Sequence, residues 1–218
     1  MKIKIKMTYK TPKGTEASFV SDEMTPEKAL LLAEDLEKIG RAKHMTFYDN
    51  HDTTWMFKEL KKYVESVDIE PHNVVVFFDG GFDVETKRSG LGCVIYYEQD
   101  GKQYRIRKNA LVEELNTNGE AEYAALHFAI GELELLGVHH LPVTFTGDSQ
   151  GVINQLKDEW PCYEEELLRW IDRIEKKLEQ LGITPEYQLV PRKKNGEADH
   201  LATQAINGTE IMSNTELV

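Results

Sequence analysis

Cysteine and long hydrophobic runs are scarce in this chain. Its two cysteines, Cys93 and Cys162, form neither a metal-binding spacing nor a disulfide framework. The longest apolar runs, such as residues 29–33 and 74–78, are far too short to span a bilayer. Residues 2–6 alternate lysine with isoleucine, so no signal peptide is expected there. We therefore expect a chain that has no membrane partner and works in a reducing cytoplasm.

An excess of positive charge is also missing. The net charge is −12, which argues against a broad, non-specific grip on nucleic acid. Residues 1–70 hold 12 basic and 13 acidic side chains, so nearly all of the net negative charge lies in the rest of the chain. A small nucleic-acid site, or a site that needs cations, stays compatible with this balance. At 218 residues the chain is long enough for two domains.

Residues 1–70 predict a small α/β domain with the element order ββαβα. Lysine and apolar side chains alternate over residues 2–9, which is typical of a half-buried strand. Thr25-Pro26-Glu27 has the N-cap residue, the proline and the early acid of a helix start. The predicted elements are strands at 2–9 and 16–20, a helix from Thr25 to Gly40, a strand near 44–48 and a helix over 54–67. The lysines of the first strand could bind nucleic acid or could only discourage aggregation, so a nucleic-acid or a protein partner stays open.

Residues 73–207 predict a second, mixed α/β domain with the order βββαβααβα. It begins with Val74–Phe78, whose apolar residues are typical of a strand buried on both faces. Asp79 and a flexible Gly80-Gly81 turn follow. The other predicted elements are strands at 91–97, 103–107, 142–146 and 184–190, and helices at 117–136, 149–157, 163–181 and around Asp199. An antiparallel meander followed by strands separated by helices predicts a mixed sheet with a parallel half, and residues 208–218 are expected to be a flexible tail.

Four acidic residues stand where separate elements of this domain could bring them together. Asp79 and Asp148 each follow directly on a short apolar strand. If those strands are parallel neighbours, the two carboxylates lie about 5 Å apart at the edge where open sheets bind ligands. Glu122 lies one turn into the long helix, and Asp199 lies just inside the last helix. Such a cluster repels itself unless divalent cations are present, and all-oxygen ligation suits Mg²⁺ or Mn²⁺.

The chain resembles the ribonuclease H family, type 1, over about residues 73–207. The matching segments are Phe78-Asp79-Gly80-Gly81, residues 117–126 (TNGEAEYAAL), Gly147-Asp148-Ser149-Gln150 with Val152-Ile153, and residues 195–202 (NGEADHLA). All four segments occur in the order of the family. The resemblance implies a ribonuclease H-like fold, with a five-stranded mixed sheet flanked by helices, preceded here by the small ββαβα domain.

The resemblance also implies an activity. Members of the family are metal-dependent endoribonucleases that cleave the RNA strand of RNA–DNA hybrids and leave 5′-phosphate and 3′-hydroxyl ends. Asp79, Glu122, Asp148 and Asp199 would then be the catalytic residues and would hold two ions of Mg²⁺ or Mn²⁺. One ion would activate a water and the other would stabilise the leaving 3′ oxygen. No small-molecule cofactor is expected, and the oligomeric state stays open.

The helix that begins near Thr117 offers a second acid, Glu120, in competition with Glu122. The family motif places its acid immediately before the aromatic residue, here Tyr123, and this favours Glu122. Glu120 would then be an acid of the first turn that interacts with the helix dipole. Substrate contacts are implied, by position, for Gly80, Thr117, Asn118, Gln150, Arg192 and Asn195.

Two features depart from the family. The loop at residues 191–196 has no histidine, although many members carry a mobile one there. The connection at residues 157–163 is short and acidic, whereas some members have a basic protrusion that grips the hybrid. These departures keep a second hypothesis open, a catalytically weak or inactive nucleic-acid-binding or regulatory protein on the same fold. A third hypothesis keeps the metals and changes the nucleic-acid substrate.

Overall fold

The computed structural model describes residues 1–217, without the side chains of residues 66–68. The chain forms two compact units, Met1–Ile69 and the part that begins at Glu70. Each unit has its own hydrophobic core. Within the described residues, no helix combines the length and the apolar character that crossing a membrane requires.

The first unit is a four-stranded antiparallel sheet with two helices on one face. Its elements are β1 (Lys4–Lys10), β2 (Glu16–Val20), α1 (Pro26–Ile39), β3 (Ala42–Tyr48), β4 (Thr54–Trp55) and α2 (Phe57–Ile69). The strand order is β2-β1-β3-β4. Alternate residues of β1, including Ile5, face the helices, and the lysines between them face solvent. Gly40 ends α1 in the left-handed conformation, with φ of 70°, as expected from the sequence.

The order ββαβα predicted for this unit omits one strand. The predicted second helix, 54–67, begins instead at Phe57, because Thr54 and Trp55 pair with β3. Asp49 stabilises the turn between β3 and β4. Its carboxylate accepts hydrogen bonds from the backbone N–H groups of His51 and Thr53 and from the indole of Trp55. Such side-chain bonds to nearby backbone groups compete with helix formation.

The second unit is a six-stranded mixed sheet with helices on both faces. Its elements are β5 (His72–Asp83), β6 (Arg88–Gln99), β7 (Lys102–Val112), α3 (Asn118–Leu136), β8 (Pro142–Gly147), α4 (Gln150–Leu156), α5 (Glu165–Leu181), β9 (Thr184–Leu189), a 3₁₀ turn (Arg192–Lys194), α6 (Gly196–Ile206) and β10 (Met212–Leu217). The strand order is β10-β7-β6-β5-β8-β9. The pairs β5–β8 and β8–β9 are parallel, and the others are antiparallel.

The flexible tail predicted at residues 208–218 is wrong for residues 212–217, and residue 218 lies outside the described residues. Residues 212–217 form β10, which pairs antiparallel with β7 and gives the sheet a sixth strand in place of the five expected. The buried side-chain amide of Asn109 holds the segment just before this strand: it donates a hydrogen bond to the Thr209 carbonyl and accepts one from the Ile211 N–H. The segment is mostly polar, so it carries no hydrophobic pattern, and it is ordered by backbone hydrogen bonds to a strand that is distant in sequence.

The expected Gly80-Gly81 turn is also wrong, since β5 continues through both glycines to Asp83. At Gly80 a side chain would collide with the backbone of Ala121 in α3, and at Gly92 one would collide with the Ala198 carbonyl in α6. The register places these glycines on opposite faces of the sheet. Their missing side chains therefore let α3 approach β5 closely on one face of the sheet and let α6 approach β6 closely on the other.

Candidate metal centre

Asp79 and Asp148 lie just past the end of the β5–β8 ladder. The parallel register runs from Val75 paired with Thr144 to Phe77 paired with Thr146, so the expectation that the two strands are parallel neighbours is confirmed. Asp79 is 8% exposed, and Asp148 is half-buried. Both carboxylates therefore stand at the carboxyl edge of the parallel part of the sheet, where open sheets place ligands.

Glu122 joins these two acids from the first turns of α3. One carboxylate oxygen from each of Asp79, Glu122 and Asp148 lies within 4.8 Å of the other two. The Gly80 backbone lies against Ala121 and Glu122, and its N–H acts to lower the pKa of Glu122, so α3 packs directly on the strand that bears Asp79. Three separate elements thus bring three carboxylates to one point.

Glu120 lies elsewhere and has a structural role. Its carboxylate accepts a hydrogen bond from the Asn116 N–H at 2.8 Å. In return its own N–H donates to Thr117 Oγ1 at 3.1 Å. This reciprocal arrangement satisfies two N–H groups at the start of α3, as in a capping box. The structure therefore places Glu122 in the cluster, and it leaves Glu120 as the acid of the helix start.

Asp199 stands at the border of the three-carboxylate cluster. It lies in the first turn of α6, and its Oδ1 accepts a hydrogen bond from the exposed Arg192 guanidinium at 2.7 Å. Its charge still acts on the cluster, because it contributes to the raised pKa of both Asp79 and Glu122. The structure thus groups three of the four predicted acids closely. It places Asp199 near enough for its charge to act on Asp79 and Glu122.

Burial and mutual repulsion make this group costly to ionise. Burial, followed by the charges of Glu122, Asp148 and Asp199, raises the pKa of Asp79 to about 8. Burial and the charge of Asp148 raise the pKa of Glu122 to about 7, against the opposing Gly80 N–H and Arg192. A divalent cation would offset this repulsion, and the donors are all carboxylate oxygens. The residues present therefore fit a hard divalent metal.

Asn195 does not lie where the expected contact with substrate would require it. Its side chain is buried, with 1% of the residue exposed. The Nδ2 group lies 2.9 Å from the Phe78 carbonyl oxygen and 3.0 Å from Asp148 Oδ1, and Asp79 Oδ1 is 3.5 Å away. The amide is thus enclosed among the strand ends and is not open to a ligand.

The other predicted substrate residues lie around the cluster. Thr117 caps α3, and Asn118 Oδ1 accepts from the Phe82 N–H at 3.2 Å, although both residues are exposed. Gln150 is exposed at the start of α4, and Arg192 is exposed beside Asp199. Gly80 is buried against α3, so only its backbone is available there.

The sequence alone does not reveal what anchors the start of α6. Glu197 forms ion pairs with Arg105 at 3.3 Å and with Arg107 at 2.9 Å, and it accepts a hydrogen bond from the Tyr96 hydroxyl at 3.2 Å. The only sequence signal is the alternation of two arginines along one strand. This cluster holds the first turn of α6, and with it Asp199, against the sheet.

This chain is similar to solved structures of ribonucleases H. RNase H1 from Halobacterium salinarum is 28% identical, with a TM-score of 0.55, and covers 62% of this chain and 98% of its own. LC11-RNase H1, isolated from compost and solved in complex with an RNA/DNA hybrid, is 25% identical, with a TM-score of 0.54 and the same coverages of 62% and 98%. The fold and the acidic cluster together define a protein of the RNase H-like superfamily and indicate a nuclease that uses divalent metal.

A family model matches this chain over residues 77–205. That segment matches the model of the Reverse transcriptase-like family, and the chain belongs to this family. A relative from Bacillus subtilis (strain 168), bearing the name "Uncharacterized protein YpeP", is 42% identical over 204 residues, which cover 94% of this chain and 90% of that protein. The similarity to this relative therefore extends through the first unit as well.

Proposed function

We propose that the chain is a metal-dependent endoribonuclease that cleaves the RNA strand of RNA–DNA hybrids and leaves 5′-phosphate and 3′-hydroxyl ends. The observation that carries the proposal is the group of Asp79, Glu122 and Asp148, whose oxygens lie within 4.8 Å of one another at the sheet edge. The similarity to a ribonuclease H solved with an RNA/DNA hybrid supports the choice of substrate.

In this proposal Asp79, Glu122, Asp148 and Asp199 hold two ions of Mg²⁺ or Mn²⁺. Bound ions of this kind supply Lewis acidity, which lowers the pKa of an attacking water and offsets the charge of the phosphodiester. The chain itself supplies a rigid frame for the four carboxylates, because they lie on β5, on α3, directly after β8 and on α6. Burial of Asp79 and Glu122 keeps water from screening their charges.

Exposed side chains around the cluster are suited to the substrate. Arg192 lies at the border beside Asp199 and can reach a phosphate, since its side chain is 79% exposed. Asn118 and Gln150 carry amides on the surface, and amides both donate to and accept from the 2′-hydroxyls that distinguish RNA from DNA in the minor groove. We therefore expect these three residues to contact the hybrid.

A hybrid-cleavage assay tests this function. The full-length chain is incubated with a labelled RNA–DNA hybrid and Mg²⁺ or Mn²⁺, and RNA–RNA and DNA–DNA duplexes serve as comparison substrates. We expect cleavage of the hybrid RNA alone, with 5′-phosphate products, and loss of cleavage in Asp148→Asn. The matched control is Asp172→Asn, which removes an exposed carboxylate on α5 and should leave the rate unchanged. No cleavage with either ion, or equal cleavage by Asp148→Asn, contradicts the proposal.

One observation favours a second candidate, a weak or inactive protein that only binds nucleic acid. Arg192 pairs directly with Asp199 at 2.7 Å, so one of the four acids already has a cationic partner. An exposed pair of this kind contributes little and is readily exchanged. Measuring binding beside cleavage, with the same hybrid and Mg²⁺, distinguishes the candidates. A protein that only binds nucleic acid would bind the hybrid and leave its RNA strand intact.

A further inference from the structure

One side chain spans the place where the backbone ladder between β5 and β8 ends. The parallel register of these strands closes at Phe77 and Thr146, and the acids Asp79 and Asp148 lie beyond that pair. Asn195 Nδ2 lies there, 2.9 Å from the Phe78 carbonyl oxygen and 3.0 Å from Asp148 Oδ1. The amide therefore bonds both to β5 and to the residue that follows β8, at the point where these two strands no longer bond to each other.

The orientation of this amide follows from its surroundings. The Phe78 carbonyl and an ionised Asp148 carboxylate can only accept hydrogen bonds, so the nitrogen of Asn195 must face them. The opposite end of the amide, Oδ1, is buried and has no hydrogen-bond partner within the described part of the chain. A buried acceptor without a partner is costly. A residue chosen only for packing would not carry this cost, which indicates a role for the nitrogen.

Asn195 also connects these two strands to the helix that carries the fourth acid. It immediately precedes α6, and its backbone carbonyl accepts a hydrogen bond from the Asp199 N–H at 3.1 Å. With 1% of the residue exposed, it is enclosed by these groups. A single residue thus contacts the elements that bear three of the four acids.

We propose that Asn195 is a positioning residue of the metal centre. Its amide holds Asp79 and Asp148 at the separation that a shared divalent cation requires, and its N–H groups partly offset their negative charge before the cation binds. This inference rests on the proposed metal-dependent function, and it replaces the substrate contact expected for Asn195. Residues that orient metal ligands typically contribute about 10- to 100-fold to metal affinity.

The test is Asn195→Ala in the full-length chain, titrated with Mn²⁺ alone in a calorimeter. We expect the Kd for Mn²⁺ to rise about 10- to 100-fold, and hybrid cleavage to recover when Mn²⁺ is raised. The matched control is Asn109→Ala. Asn109 is also buried, and its amide donates to the Leu201 and Thr209 carbonyls at 2.9 Å. It contacts no acid of the cluster, so its loss should lower the melting temperature and weaken Mn²⁺ binding much less than Asn195→Ala does.

A measurement on the wild-type protein keeps the inference testable even if Asn195→Ala fails to fold. In the metal-free chain, NMR should detect slow exchange with water for the side-chain amide protons of Asn195, compared with those of the exposed Asn50. Equally fast exchange for the two residues overturns the inference. Equal Mn²⁺ affinity in the wild type and Asn195→Ala also overturns it, as does equal weakening by Asn109→Ala.

The outcomes separate the inference from the proposed function. If the wild type cleaves hybrids and Mn²⁺ affinity does not depend on Asn195, the positioning role fails and the ribonuclease activity stands. If Asn195→Ala weakens Mn²⁺ binding and the wild type cleaves no hybrid, the ribonuclease activity fails and the positioning role stands. A wild-type chain that binds no Mn²⁺ contradicts both.

Discussion

Burial and neighbouring carboxylates raise the pKa of Asp79 to about 8 and that of Glu122 to about 7. In an unfolded chain both groups titrate at about pH 4. Because the folded pKa is the higher one, each group favours the folded state when it is protonated and the unfolded state when it is ionised. The stability from these groups is therefore present below about pH 4 and is lost as the pH rises through the folded values.

Replacing Asp79 by asparagine should stabilise the metal-free protein at high pH. With EDTA present, we expect the melting temperature of the wild type to fall relative to that of Asp79→Asn between about pH 5 and about pH 9. Mn²⁺ should restore the wild type at the higher pH and should do little for the variant. Melting curves recorded at both pH values check this. Parallel pH dependences of the two proteins would contradict it.

Glu120 and Glu122 should separate stability from activity. Glu120→Ala removes the bond to the Asn116 N–H and should cost about 1 kcal/mol of unfolding free energy, as loss of a helix cap does, while cleavage continues. Glu122→Gln removes a carboxylate from the cluster and should abolish cleavage without lowering stability. Urea unfolding and the hybrid assay measure the two effects. If Glu120→Ala is as stable as the wild type but does not cleave, the roles assigned to Glu120 and Glu122 are wrong.

At the scale of elements, the close approach of α6 to β6 places Asp199 near the cluster. Gly92 permits this approach, because any side chain there would collide with the Ala198 carbonyl in the first turns of α6. The ion pairs of Glu197 with Arg105 and Arg107 hold the same turn against β7. The position of Asp199 therefore depends on how the whole helix packs.

Adding one methyl group at Gly92 should move this helix. We expect Gly92→Ala to cost about 1–3 kcal/mol of unfolding free energy, as overpacking does, and to reduce cleavage because Asp199 shifts with α6. The matched control is Gly151→Ala in α4, where a side chain would meet open space; there alanine should stabilise by about 0.5–1 kcal/mol. Urea unfolding of the two variants checks both signs. Equal stability for Gly92→Ala and the wild type would contradict the packing argument.

At the scale of the whole molecule, the second unit is acidic and the first is nearly neutral. The first unit nevertheless exposes lysines on the open face of its sheet, opposite its helices. Lys4 and Lys10 pair with Glu23 and Glu16, whereas Lys6 and Lys43 are exposed and form no ion pair with the side chains that the structure describes. This distribution makes the first unit the part of the chain better suited to attract a phosphate backbone.

We expect the first unit to contribute affinity for the hybrid without contributing to the chemical step. A chain that begins at Glu70, or the full-length double variant Lys6→Glu, Lys43→Glu, should raise KM and leave kcat near the wild-type value, with a weaker salt dependence. Lys28→Glu is the matched control, since Lys28 lies on α1, away from that face. Steady-state cleavage at several salt concentrations measures this. An unchanged KM in both altered chains would end the assignment of nucleic-acid binding to this unit.

Local sequence patterns sufficed for much of the fold and for the acids of the site. The apolar run of β5 followed by Asp79, the capping signals around Thr117 and the strand before Asp148 each depend on neighbouring residues, and the structure contains each of them. These signals are readable because hydrophobic periodicity and capping act over a few residues. The convergence of the acids at one sheet edge follows from the order of the elements.

Only the tertiary structure decided the features that depend on distant partners. The polar strand β10 forms because β7 offers it backbone hydrogen bonds, and the continuation of β5 past Gly80 depends on its pairing with β6. The buried amide of Asn195 acquires its role from Phe78 and Asp148, which are far from it in sequence. Local patterning by itself determined most of the elements and the acids that they carry. Packing between elements determined the strands β4 and β10, which oxygens meet and what holds them, because distances across the fold are set by long-range contacts.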